Sequence, residues 1–510
     1  MSQVKHLKTV CRSCHGGCGV IAHVKDGKVI KVEGDPDSPI SHGSLCSKGL
    51  AITQLAYHPD RILYPMKKAG GNWERMTWDE ALDRVAGKFK EAQEKYGAES
   101  ILLGQGTGRD FESHFSRLGN MLGTPNMITA GHMCYLSRIA ATLTTCGRHP
   151  AIDYANNPKC IVMWACNPLW TNPDEYKGVS FWRAYQKGAK LIVIDPRFTR
   201  TAAHADENVR FRPGTDVALV WGILWHIFEN GWEDKEYIRQ RVYGMDEIRA
   251  EVAKWTPDVV ENVTGVPEAE VKLAAQTMAE NRPGTIVWCM GGTQHTIGNN
   301  NTRAYCAMQL ALGNIGKSGG GANIFRGHDN VQGATDLGVL SHTLPGYYGI
   351  KAGSWKHWSR VWDVDYDYMV GRFESKDMMQ KSGMPVSRWI DGVLEDKANM
   401  DQPDNVRAMV LWGHAPNSQT RGPEMKKAME KLDLKVKHVA GAHSPRLLTI
   451  DEFFKTTCDS VYALGDEVVI EDAVVTGVRY NGVFVNEQAN GPYTGIWVYT
   501  GAAPGVDVEK

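Results

Sequence analysis

The chain has 510 residues, with 57 Lys and Arg against 58 Asp and Glu and a net charge of −1. That length exceeds what one hydrophobic core can serve, so several domains are expected. The even charge balance excludes the broad basic surface of a nucleic-acid binder and gives no general attraction to anionic lipid.

The N-terminal segment MSQVKHLKTV has neither an apolar signal core nor a twin-arginine pair, so a cytoplasmic location is expected. Four of the eleven cysteines follow at once, Cys11, Cys14, Cys18 and Cys46, in the spacing C-x2-C-x3-C-x27-C. In a reducing compartment such crowding reads as metal binding rather than as a disulfide frame. Three closely spaced thiolates on a turning loop reach three corners of an iron–sulfur cube, and a distant fourth closes it. Zinc is the rival, but its four-cysteine sites usually pair two short arms, and here Cys46 stands alone.

Thr77-Trp78-Asp79-Glu80 is a capping box, followed by Ala81, Leu82, Val85, Ala86 and Phe89 on one helical face. Apolar runs of strand length occur at 100–104, 160–166, 190–195, 285–290 and 407–412. Helix-like stretches follow at 175–188, 302–312 and 424–432, which makes parallel βαβ units with both sheet faces covered. The run 218–228 is too short to span a bilayer and fits a buried core helix. Two strands end alike, Trp164 to Pro168 and Trp412 to Pro416, each reading W-x3-P; ligands of open α/β sheets sit at such carboxyl ends. Whether this echo marks two similar ligand-binding halves or is coincidence the pattern leaves even. From about Asp466 the texture turns valine-rich, with Tyr480-Asn481-Gly482-Val483 as a hairpin turn.

Some motifs fail on inspection. Gly316-Lys317-Ser318 lacks the first glycine of a P-loop and closes a helix instead of opening one; Gly104-x-Gly106-x-Gly108 lacks the Rossmann spacing. Zinc-peptidase and serine-hydrolase signatures are absent from the sequence.

The quartet followed by Ser47-Lys48-Gly49 resembles the opening of the molybdenum/tungsten bis-pterin oxidoreductases, the DMSO reductase superfamily. The likeness continues through RILYP (61–65), WDEAL (78–82), KLIVIDPRFT (190–199) and RPGTD (212–216). It is closest to formate dehydrogenase catalytic subunits at GTQH (292–295), LGNIG (312–316), RGHDNVQGATDLG (326–338) and LPGY (344–347), and it covers roughly residues 5–430. The resemblance implies a multi-domain α/β fold: an iron–sulfur domain over 1–60, one cofactor-binding domain from 61–128 with 330–430, and a pseudo-symmetric second over 129–329. Residues 431–510 remain as a divergent β-rich tail. The C-terminal β-barrel domain of the family is not recognisable; either the chain is truncated or a separate subunit supplies that domain.

The same resemblance implies a bis-molybdopterin guanine dinucleotide cofactor carrying Mo or W, beside the [4Fe–4S] cluster. It makes Cys134 the thiolate ligand to that metal, although a lone cysteine read by itself is more often buried core. Arg326 would hold the substrate carboxylate in a guanidinium fork, against the alternative of a structural ion pair. Lys48 would stand between cluster and pterin. Trp164, Asn167, Asp195, Arg197, Asp216, Gly292, Gly413 and Asn417 fall at cofactor-contact positions, with strand-end capping the plainer reading of Asp195. Formate is the implied substrate and an iron–sulfur electron-transfer subunit the implied partner. The pattern departs at Tyr135, where formate dehydrogenases carry His after the metal ligand; either His132 or His295 substitutes, or the substrate is another. The alternatives are a reductase of a sulfur compound or other oxyanion on the same cofactor, and a non-catalytic electron-transfer subunit without Mo or W.

Overall fold

The computed structural model describes residues 3–11, 13, 17–106, 112–129, 131–134, 136–171, 178–325, 343–373, 376–412 and 421–438, with three short strands beyond them. Cys14, Tyr135, Arg326, Gly413 and Asn417 lie outside the described residues, as do Tyr480 and Asn481 of the expected hairpin turn.

The N-terminal module is an antiparallel sheet of β1 (Lys5–Val10), β2 (Gly19–Lys25) and β3 (Lys28–Gly34), followed by the short helices Ser47–Leu50 and Ile52–Ala56. A separate hairpin, β4 (Met66–Ala69) with β5 (Asn72–Arg75), leads into the helix Trp78–Tyr96. That helix starts as its sequence dictates: the Thr77 side chain accepts from the Glu80 amide while the Glu80 carboxylate accepts from Thr77. Ala86 and Phe89, on the apolar face, are buried.

The remaining strands up to residue 438 build two parallel sheets and one small antiparallel pair. In chain order they are β6 (Ile101–Gln105), β7 (Met127–Thr129), β8 (Cys160–Trp164), β9 (Lys190–Ile194), β10 (Glu207–Val209), β11 (Gly284–Trp288), β12 (Gly321–Ile324), the small pair β13 (Thr343–Leu344) and β14 (Tyr348–Gly349), β15 (Ala408–Trp412) and β16 (Leu434–His438). One sheet runs β16-β15-β6-β7, and so joins residues near 100–130 to residues near 408–438. The other runs β10-β9-β8-β11-β12 and is contiguous in sequence. The central strands β6, β8, β11 and β15 are buried at every position, because helices cover both faces. The helix Asp216–Glu229 accounts for the apolar run at 218–228 and lies in the core of the five-stranded sheet.

Several strands end earlier than their apolar runs, each for a local reason. β8 stops at Trp164 because Ala165 adopts φ +46°. β9 stops at Ile194, where Asp195 bends the chain by accepting the Arg197 amide at 2.8 Å. The helix expected from Glu424 begins at Gly422, with Pro423 in its first turn, where a fixed φ costs nothing. The helix expected over 302–312 runs Gly298–Ala311. Of the helix expected from 175 to 188, the described part is Ser180–Gln186. In the tail, Val474–Arg479, Gly482–Asn486 and Ile496–Tyr499 form an antiparallel sheet, with Arg479 opposite Gly482. No helix among the described residues is long and apolar enough to cross a membrane.

Candidate cofactor site

The cysteine segment folds into a closed loop. The Cys11 amide donates to the Cys18 carbonyl at 2.9 Å, and both side chains are buried. Cys46 sits at the N-cap of the helix Ser47–Leu50, whose Gly49 faces Cys11: a Cβ there would lie 3.4 Å from the Cys11 sulfur. Leu45 is the nearer obstacle, 2.4 Å from such a Cβ, and the described residues include no group of three or more His, Cys, Asp or Glu side chains placed to hold a metal ion. Soft thiolate donors in a mainly apolar surround of Val20, Val32, Leu45 and Ile52 suit an iron–sulfur cluster.

From the same short helix Lys48 reaches across to the five-stranded sheet. Its ammonium donates to the Thr171 carbonyl at 2.8 Å. Thr171 ends the helix Pro168–Thr171, directly beyond the carboxyl end of β8. One lysine thus ties the cysteine module to the end of the sheet at which ligands of α/β proteins sit.

At that end the loops brace each other. The Ala165 amide donates to the Ile194 carbonyl at 2.7 Å. A Cβ on Gly291 would lie 2.6 Å from that of Ala165, so the exits of β8 and β11 approach closely. Asn167 accepts the Thr201 hydroxyl at 2.7 Å and the Thr201 amide at 3.3 Å. Asp195 caps its own strand end through the Arg197 amide, and burial raises its carboxyl above the usual range against the pull of Arg197. Arg197 is exposed, as are Phe198 and Trp170, and the Arg200 guanidinium lies 4.7 Å above the Trp170 ring. Flat aromatic faces among cations are a fitting surface for a purine ring and a diphosphate.

Cys134 ends the short helix Gly131–Cys134, which follows β7 and lies against the helix Met290–Thr293. The thiol-bearing side chain is half-buried beside Leu136 and Ile139. His132 accepts the Val386 amide at Nδ1, 3.3 Å away, which fixes the neutral-ring proton on Nε2. His295 turns its Nε2 to the Gly291 carbonyl at 2.5 Å. The segments bearing Cys134, His132, Gly292 and His295 are thereby brought together from sequence positions more than 150 apart.

Trp164 and Asp216 are brought together elsewhere, inside the core. The Trp164 indole donates to Asp216 at 2.8 Å, and the Tyr305 hydroxyl donates to the same oxygen at 3.1 Å. All three are buried; the second Asp216 oxygen has no partner among the described residues. Tyr305 also backs Gly292, where a Cβ would stand 2.9 Å from its hydroxyl. Tyr305 carried no motif and was not foreseen. Nor was His114, on the helix Glu112–Leu122 beyond β6: burial, helped by nearby Arg117, pushes its imidazole down to about 4. Two basic residues one turn apart after a glycine-rich strand exit are the signal that could have found them.

Comparisons with known proteins identify the family. The molybdopterin oxidoreductase family profile matches residues 61–385, and the molybdopterin oxidoreductase Fe4S4 domain matches residues 4–58. Formate dehydrogenase-O major subunit of Escherichia coli is 30% identical over 430 residues, covering 68% of this chain and 42% of that protein. Formate dehydrogenase H of the same organism is 31% identical over 376 residues, covering 71% and 52%. The chain thus spans about half the length of the curated relatives it matches. Acetylene hydratase from Pelobacter acetylenicus shares the fold with a TM-score of 0.65 at 23% identity, covering 98% of this chain and 67% of that one. The chain belongs to the molybdopterin oxidoreductase family of the DMSO reductase-type superfamily, whose cofactors here are a molybdenum or tungsten pterin and a [4Fe–4S] cluster.

Proposed function

We propose that this protein is the catalytic core of a formate dehydrogenase-like enzyme, which converts formate to carbon dioxide with release of one proton and two electrons. The observation that carries the reading is the meeting of the Cys134 helix with the 290–298 segment, on the same protein whose Lys48 links the cysteine module to the end of β8. Cys134 would supply the thiolate to the metal, and Cys11, Cys14, Cys18 and Cys46 would hold the cluster. The bound cofactor supplies a two-electron acceptor and, through the cluster, a one-electron exit. Arg326 would grip the carboxylate with two parallel hydrogen bonds. His132, with Nδ1 engaged by the Val386 amide, would handle a proton at Nε2, and His295 would do so at Nδ1. Arg197, Arg200, Asp195 and Asn167 would contact or orient the dinucleotide at the ends of β8 and β9. An iron–sulfur protein would take the electrons.

Two measurements test this. Metal analysis of protein purified without oxygen should find Mo or W and about four iron atoms per chain; absence of both Mo and W favours the electron-transfer subunit instead. Formate-driven viologen reduction should then proceed, and should fall sharply in Arg326→Ala. A fully metallated protein inert to formate points to the reductase of a sulfur compound or other oxyanion, the reading that Tyr135 in place of His favours.

A further inference from the structure

Two helices lead away from the candidate site side by side, and a cysteine on each meets the other. The helix Leu136–Cys146 starts two residues after Cys134, and the helix Gly298–Ala311 starts three residues after His295. They pack against each other and run in the same direction, since they touch at both ends. At their starts a Cβ on Gly298 would lie 3.6 Å from the Ser137 hydroxyl oxygen. Further along, Cys306 hydrogen-bonds Cys146, the last residue of its helix, about 15 Å from Leu136 along the axis. Steps of four residues from the first contact give Thr302 and Cys306 on one helix, and Ala141 and Thr145 on the other. Side chains this small let two helices approach closely.

The two thiols differ in a way that gives each a role. Cys306 is wholly buried in the core cluster. Cys146 packs against that cluster but is only half-buried, beside the exposed Gly147, Arg148 and His149. The Cys306 thiol donates to the Cys146 sulfur. That bond holds the Cys146 thiol below its ordinary range, against the opposing effect of burial, and pushes Cys306 well above its own. The buried Arg138, on the same helix as Cys146, adds a positive charge that acts on the pair through Cys306. Cys146 is therefore the thiolate that an oxidant in solution meets first, and Cys306 is the protonated thiol behind it. Sulfurs already in hydrogen-bond contact are near the approach a disulfide requires, so the bond can close with little movement of the backbone.

We propose that Cys146 and Cys306 form a dithiol that small hydroperoxides oxidise to a disulfide across the two helices. The Cys146 thiolate attacks the peroxide O–O bond and becomes a sulfenic acid, while the leaving oxygen takes up a proton as alcohol, or as water from hydrogen peroxide. The Cys306 sulfur then attacks the sulfenic sulfur, and its proton leaves with the displaced hydroxyl as water. Two thiols and one organic hydroperoxide thus give one disulfide, one alcohol and one water. An external dithiol reverses the bond by exchange. The disulfide joins the helix that follows Cys134 to the helix that follows His295, and so holds the two segments of the candidate site in one register. The inference does not depend on the substrate of the metal site.

The test starts from the reduced, cluster-loaded, full-length protein kept without oxygen. It is treated with stoichiometric tert-butyl hydroperoxide, quenched with N-ethylmaleimide and mapped by peptide mass spectrometry. Wild type should yield the Cys146 peptide joined to the Cys306 peptide, and dithiothreitol should part them. Cys306→Ser should instead leave a sulfenic acid at Cys146 that dimedone captures, and Cys146→Ser should leave Cys306 reduced. Hydrogen exchange in 136–146 and 298–311 should slow by about tenfold or more when wild type is oxidised. In Cys146→Ser/Cys306→Ser the same treatment should leave it unchanged. Serine nearly keeps the side-chain volume, so the variants should retain cluster absorbance, and the wild-type cross-link needs no variant at all. Wild type whose Cys146 stays open to alkylation after peroxide overturns the proposal. So does Cys146 that ends as a sulfenic or sulfinic acid with Cys306 still free, and so does a disulfide from either cysteine to another partner. Oxidation of Cys306 in Cys146→Ser overturns the assigned roles, and exchange indifferent to the cross-link overturns the coupling of the two helices.

Discussion

Replacing Asp216 by Ala should destabilise the protein whether or not any cofactor is bound. The carboxylate accepts from the Trp164 indole at 2.8 Å and from the Tyr305 hydroxyl at 3.1 Å, and neither donor has measurable exposure to water. Removing their shared acceptor leaves two buried donors unpaired, at about 1–3 kcal/mol each. The loss is therefore about 2–6 kcal/mol, a large part of the 5–15 kcal/mol typical of a folded domain. Asp216→Asn keeps an acceptor oxygen and should lose less than about half as much. Adding Tyr305→Phe to Asp216→Ala removes one orphaned donor and should recover about 1 kcal/mol or more. Urea denaturation of the apoprotein, followed by tryptophan fluorescence, measures all three. An apo Asp216→Ala protein within about 1 kcal/mol of wild type would refute the reasoning and return Asp216 to a role toward the dinucleotide.

Other outcomes follow from single sites. His114 is held neutral by burial at about 4 against 6.5 when unfolded, so the unfolded chain binds the extra proton in between. Stability from this group is complete above about pH 6.5 and lost as pH falls toward about 4, by about 3 kcal/mol in all. His114→Gln should show that much less acid sensitivity in urea midpoints between pH 7 and 4.5. Gly292→Ala should cost about 1–3 kcal/mol by crowding the Tyr305 hydroxyl and Trp288, read as a fall in melting temperature. Lys48→Met removes an exposed hydrogen bond and should cost less than about 1 kcal/mol. Its cluster absorbance should stay intact while cluster reduction by substrate slows. A Cys306 thiol hydrogen-bonds Cys146 and lowers its pKa, whereas burial pushes Cys160 well up. Peptide mapping after brief iodoacetamide treatment should therefore find Cys146 modified ahead of Cys160.

Local pattern made much of this fold legible. Continuous apolar runs located β8, β9, β11 and β15 within a residue or two, because strands buried on both faces leave no alternation to misread. The Thr77–Glu80 box marked a helix start to the residue. The cysteine spacing named the chemistry of the first module. What stayed hidden was set by contacts that sequence does not number. Trp164 finds Asp216 52 positions away, and Lys48 finds Thr171 123 positions away. Ala165 carries nothing in its side chain to announce a left-handed backbone; the close passage of Gly291 accompanies it. The position of Arg326 is within the likeness to formate dehydrogenases, yet its geometry lies outside the described residues.

The strand order of the two parallel sheets also sets when each can exist during synthesis. The five-stranded sheet draws only on residues 160–324, so it can close as soon as that run has emerged. β6 must wait for β15, about 300 residues later, before it is paired on both sides. Until then an apolar strand stands at an open edge in the nascent chain, the condition that invites mispairing and chaperone capture. Interruptions of translation between residues 324 and 408 should thus release a folded half beside a sticky one.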